Sequence, residues 1–158
     1  MERLRNLLLE QGYRYDVVDA VLAAQGYNVA GATRAVGELN TWVARPDWSS
    51  ILPAFARCVR ITRDVKEQFT VSTSLFSEPT EDALYIALTT AESTERIQGS
   101  INDFLQAFQP MIPAINQFFE TVLVMAEDPC LRENRLGLLQ RITELASGCA
   151  DMSRLEGF

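Results

Sequence analysis

FFETVLVMAEDPCLRENRLGLL, residues 118–139, decides the class of fold. Its first half is apolar nearly all round. Its second half opens on Asp128-Pro129, a cap residue followed by a proline at the first helical position, where a missing N–H does no harm. The pattern predicts two helices. One runs from 111 to about 125 and is expected to be the central, most buried helix. The last one carries Leu131, Leu138, Ile142, Leu145 and Cys149 on one face. Asn134 and Arg135 straddle that face where Leu or Ile is expected. A guanidinium there is costly unless paired. Glu127 and Asp128, just ahead of the helix, are the natural partners, so the four residues read as a structural polar clamp.

The same helical period extends upstream, and strand-like alternation is almost absent. DVVDAVLAAQG reads as a helix with Asp16 as its cap and Gly26 as its stop. Asn28 caps the next, from 29 to about 44, which ends before Arg45-Pro46. Ser49 or Ser50 opens a third, with Pro53 in its first turn and Ile51, Phe55, Cys58, Val59, Thr62, Val65 and Phe69 as one apolar stripe. Residues 70–79 are the clearest loop, after which Thr80 caps a helix led by Glu81 and Asp82. Its apolar positions are Ala83, Leu84, Ala87, Leu88 and Ala91. No repeat and no linker divides the chain. Residues 1–158 read as one all-α domain, a single helical bundle of six to eight helices.

Composition removes whole classes of chemistry. There is no histidine, which excludes histidine triads, histidine bases and histidine-containing metal sites. Cys58, Cys130 and Cys149 form no C-x-x-C pair, and two of them fall on apolar stripes as buried free thiols. No nucleophile–base pair or phosphate loop is present, so no residue is assigned a catalytic role and no metal ligand is expected. No apolar run approaches the ~20 residues of a membrane span, and the N-terminus turns polar too early for a secretory signal. A soluble, cytoplasmic domain is the expectation.

The net charge of −7 is unevenly placed. Residues 1–70 carry nine basic and eight acidic side chains, whereas residues 71–158 carry five and thirteen. Screening beyond about 10 Å lets the local field decide, so an acidic total leaves room for a basic patch in the first half. ARCVRITRDVK, residues 56–66, supplies one: Arg57, Arg60, Arg63 and Lys66 recur at every third position. On a helix such steps drift by about 60° each. Arg57 and Arg60 then lie opposite the apolar stripe, Arg63 flanks it, and Lys66 drifts onto the apolar side. Two readings stand: a solvated face with i,i+4 pairs Arg60–Asp64 and Arg63–Glu67, or an arginine face that grips phosphate. Arg45 and Trp48 are weaker candidates for RNA contact, and Trp42 reads as core.

Three stretches together resemble a known family. Residues 118–139 are similar to the C-terminal signature of bacterial-type glycyl-tRNA synthetase beta subunits, roughly FFxxVxVMxEDxxLRxNRLxLL. LFSEPTEDALYIAL, residues 75–88, resembles that family's LFxEPxExALYxAL segment, and YRYDVVDAVLA, residues 13–23, its (R/Y)FDxxxAVLA entry into the domain. FARCVRI, residues 55–61, falls where the family has a FKRxxNI-like helix, with Ala56 in place of its Lys and Arg60 in place of its Asn. The resemblance covers about residues 10–158.

It implies a DALR-type anticodon-binding domain, a C-terminal fragment of a class II glycine–tRNA ligase whose active site lies elsewhere. The segment itself would need no cofactor, while ATP and Mg would serve the catalytic part of the parent enzyme. The implied partners are tRNA(Gly), the remainder of the beta subunit and the catalytic alpha subunit or alpha part, with no membrane and no DNA. Arg57, Arg60 and Arg63 are the candidate RNA contacts. The rival reading is an acidic helical docking module that touches no RNA.

Overall fold

Asn28 does what its position predicts: its Oδ1 accepts a hydrogen bond from the Gly31 backbone N–H at 3.1 Å and starts a helix. The computed structural model describes residues 2–158, with eight α-helices and no strand among the described residues. These are α1 (Glu2–Glu10), α2 (Tyr15–Gln25), α3 (Val29–Val43), α4 (Trp48–Thr62), α5 (Pro79–Ser93), α6 (Ile101–Phe108), α7 (Ile112–Thr121) and α8 (Pro129–Glu144). The fold is all-α.

The contacts group the chain into two compact units. One comprises residues 1–53, 95–106 and 146–158; the other comprises 54–94 and 107–145. The division falls inside α4, after Pro53, and inside α6, after Gln106, rather than at a linker.

In the first unit α2 is the core helix. Val17, Val18, Ala20, Val21 and Leu22 are buried, packed against α1, α3 and the turn Met152–Arg154. Asp16 is not the cap expected of it, because the helix already begins at Tyr15. It is a tertiary anchor, only 1% exposed. Its carboxylate accepts from Arg14 Nε and Nη2 at 3.0 and 2.6 Å and from the Glu156 backbone N–H at 2.9 Å. Tyr15 donates its hydroxyl to the Glu156 carboxylate at 2.6 Å, which fastens the same junction.

Desolvation alone raises the Asp16 pKa. The Glu156 N–H and Arg14 outweigh it and hold the carboxyl below the ordinary aspartate value. A depressed folded pKa contributes stability above the unfolded pKa of about 3.9, and that stability is lost as pH falls through the folded value. Asp16→Asn is therefore expected to destabilise the chain at pH 7, the gap beginning to close as pH falls below about 4 and closing fully only below the depressed folded value. Urea titrations at a series of pH values check this; a stability gap independent of pH contradicts it.

In the second unit α8, not α7, is the most enclosed helix. Seven consecutive residues, Asn134 to Gln140, are buried. The helix expected to reach about residue 125 stops at Thr121, and the chain turns extended at Val122. The apolar run VLVM then follows a two-residue period, with Val122 and Val124 buried while Leu123 and Met125 are 70% and 54% exposed. Thr80 is likewise not a cap. Glu78 occupies that position, Pro79 follows it, and Glu81 Oε1 accepts back from the Glu78 N–H at 3.3 Å. Leu84, Leu88 and Ala91 form the buried face of α5, and Ala83 is exposed. Phe55 meets Phe108 edge to face, with ring centroids 5.4 Å apart.

A strap crosses α8. Gln140 donates from Nε2 to Glu67 O at 2.7 Å and accepts on Oε1 from Phe69 N–H at 3.0 Å. Asn134 does the same for Ser72, accepting from its N–H at 2.6 Å and donating to its carbonyl at 3.1 Å. Each side-chain amide thus satisfies both a donor and an acceptor of an irregular backbone that no helix or sheet pairs. Gly137 lies between them, and a Cβ there would come within 3.0 Å of Phe69 O. A glycine is required for the strap to lie this close.

Candidate nucleic-acid interface

The second half of α4 presents the arginines. Cys58 and Thr62 are buried on one face, while Arg57 and Arg60 are exposed on the other. Burial pushes the Cys58 thiol up to about 12 despite the neighbouring Arg57, so this cysteine is packing rather than chemistry. The helix ends where Thr62 turns its hydroxyl back onto Cys58 O at 2.7 Å. Arg63 is therefore in the following turn, exposed, with its N–H bonded to Val59 O at 2.8 Å. Lys66 does not drift onto the apolar side. The helix has already ended, and Lys66 is exposed beside the strap.

Arg57 is held in place. Its guanidinium carbon sits 4.3 Å from the centroid of the Phe119 ring, a cation–π contact made by a residue that stays exposed. Phe119 is the half-buried neighbour of the fully buried Phe118. On a helix one of two adjacent aromatics turns about 100° away from the core, and that was the signal available in the sequence.

Arg45 and Trp48 belong to the other unit. Arg45 stacks on Trp42 at 4.0 Å and grips Asp47 through Nε and Nη2 at 2.9 and 2.8 Å. Much of its donor set is already used. Trp48 opens α4 and is half-buried.

The clamp residues pair differently from the expectation. Arg135 does not meet Glu127 or Asp128. Its Nη2 binds Glu81 Oε1 at 3.0 Å and Ser77 Oγ at 3.2 Å, and its Nη1 donates to Leu123 O at 2.8 Å. The reason is reach: Asp128 is engaged as the N-cap, accepting from Cys130 N–H at 2.9 Å. Glu127 and Asp128 are exposed, whereas Arg135 and Glu81 are enclosed together. Arg132 serves the 126–127 turn instead, donating to Ala126 O at 3.1 Å.

No family model matches the chain. Curated relatives do. It is 36% identical over 157 residues to the glycine–tRNA ligase beta subunit of Moorella thermoacetica, covering 98% of this chain and 23% of that protein. It is 38% identical over 161 residues to the subunit of the same name from Myxococcus xanthus, with 98% and 23% covered. The chain is a homologue of one segment of the glycine–tRNA ligase beta subunit. A more distant relative of that name, from Lactococcus lactis, is 28% identical over 151 residues. The chain thus spans less than a quarter of the length of these relatives. In this chain two of the sequence stretches that resemble the family meet in space, since Glu81 comes from one and Arg135 from the other. Their polar residues hold the fold, and the RNA-facing candidates lie outside that pair.

Proposed function

We propose that this chain is a non-catalytic tRNA-binding domain that serves a glycine–tRNA ligase by holding the anticodon arm of tRNA(Gly). The observation that carries the reading is the exposed α4 arginine face, with Arg57 held over the Phe119 ring. The kinship with the beta subunit supports it. Mechanistically, guanidinium groups of Arg57, Arg60 and Arg63 bind phosphates and fix the register of the RNA. Single-stranded loop bases are then read by stacking and by hydrogen bonds to their edges. Glycine activation by ATP takes place in another part of the parent ligase. That catalytic part and the rest of the beta subunit are the protein partners of the segment.

Arg57→Ala or Arg60→Ala, placed in the full ligase, is expected to raise the KM for tRNA several-fold while leaving kcat nearly unchanged. That pattern is the signature of lost uniform binding. Aminoacylation kinetics against tRNA concentration measure it, and an unchanged KM in both variants sinks the assignment in favour of an acidic docking module.

A further inference from the structure

The first unit contains a cleft of about 380 Å³ between the start of α3 and the turn before α6. At its floor lies Gln25, only 3% exposed. Gln25 Nε2 donates to two backbone carbonyls, Gly99 O at 3.0 Å and Cys149 O at 2.9 Å. Two acceptors on one side fix the amide orientation, because only the NH₂ group can serve both. Oε1 is forced to the other side, where no described residue donates to it. Two glycines lining the cleft keep that oxygen uncovered: a Cβ on Gly99 would lie 2.8 Å from it and one on Gly31 3.3 Å.

Further acceptors flank it. Glu38 Oε1 takes the Asn102 N–H at 3.1 Å, and Asp103 Oδ2 takes the Ile97 N–H at 2.7 Å. Each carboxylate is thus tethered through one oxygen, leaving the other as an acceptor. Arg34 is the lining cation, and it is exposed.

We propose that this cleft binds an amino-bearing nucleobase, cytosine, adenine or guanine, with its sugar-phosphate toward Arg34. Oriented acceptors and carboxylates accept hydrogen bonds from an exocyclic amine such as cytosine N4, whereas uracil has no exocyclic amine and offers a single N3–H between two carbonyls that meet like partial charge. The volume lies at the lower end of small-molecule sites, ~300–1,000 Å³, and exceeds what a single ammonium group fills. The inference is independent of the tRNA reading, because a free nucleotide and a single-stranded RNA present the same edge.

The test follows amide resonances of the labelled chain during titration with CMP, AMP, GMP and UMP. The three amino-bearing nucleotides should shift Gly31, Gly99 and Asn102 saturably, with UMP at least tenfold weaker. Gly31→Ala, whose Cβ would meet the Asn28 side chain at 2.7 Å and Gln25 Oε1 at 3.3 Å, should remove the effect. Glu38→Gln, which keeps an acceptor for Asn102, should weaken it at least threefold even if the first variant fails to fold. An oligocytidine heptamer distinguishes the sources. An RNA site binds it at least tenfold more tightly than CMP at the same resonances, and a free-nucleotide site binds both alike. Equal binding of UMP, tighter binding of arginine amide, or no saturable shift in the cleft overturns the proposal. If the heptamer perturbs only Arg57 and Arg63, the cleft assignment falls while the tRNA reading stands.

Discussion

Replacing Arg135 by methionine is expected to cost about 3–5 kcal/mol and to lower Tm by roughly 10 °C for a chain of this size. Methionine fills much of the volume but leaves the Glu81 carboxylate, 0% exposed, without its cation. Taking one member from an enclosed ion pair costs more than the pair itself contributes, because the remaining charge has no solvent to return to. Ser77 Oγ and Leu123 O also lose a donor, so the loops at 72–78 and 122–128 loosen together. The double variant Glu81→Leu/Arg135→Met should recover most of the loss, since an apolar pair removes the orphaned charge. Thermal melts of the three proteins decide it. A single variant as stable as the parent shows that the guanidinium is not held where Glu81 can reach it.

The second large effect belongs to Gly137. Valine there brings a Cβ to 3.0 Å from Phe69 O and 3.2 Å from Val71 Cγ2, and its methyl groups come closer still. Backbone cannot swing aside as the end of a side chain does, so the strap must lift. Overpacking of this kind costs ~1–3 kcal/mol, and each hydrogen bond lost from the Asn134 or Gln140 side-chain amide adds about 1 kcal/mol. The sign is informative, because the same substitution in an exposed helix would be favourable on propensity alone. Hydrogen exchange provides the local readout: the Phe69 and Ser72 N–H groups, which donate to Gln140 and Asn134, should lose protection well beyond the global change. Uniform exchange across the chain contradicts the strap.

Local signals carried the fold further than they carried the site. Asn28 and Asp128 cap their helices because the cap hydrogen bond spans two or three residues and is written in the adjacent sequence. VLVM misleads because four consecutive apolar residues fit either a buried helix or a strand-like edge. Only the packing shows Val122 and Val124 turned inward and Leu123 and Met125 outward. The polar positions of α8 explain why periodicity ranks the wrong helix as central. Asn134, Arg135 and Gln140 look like solvent-facing residues, yet each finds its partner 54 to 73 residues away. Such pairings leave no trace in spacing.

The arginine face divides the same way. Exposure of Arg57 and Arg60 follows from the buried stripe of α4, which the sequence displays. The Phe119 ring beneath Arg57 comes from α7, and the early end of α4 at Thr62 releases Arg63 and Lys66 from the helical wheel. The cleft around Gln25 was invisible because its walls come from α3 and the turn before α6, far apart in sequence.

A salt titration of tRNA(Gly) binding by this chain tests the central claim most directly. Contacts to three phosphates predict that log K falls linearly with log salt with a slope of about −2 to −3. Arg57→Glu/Arg63→Glu should reduce the slope by about two while weakening binding at every salt concentration. Absence of binding at low salt, or an affinity indifferent to salt and to both substitutions, would contradict the account.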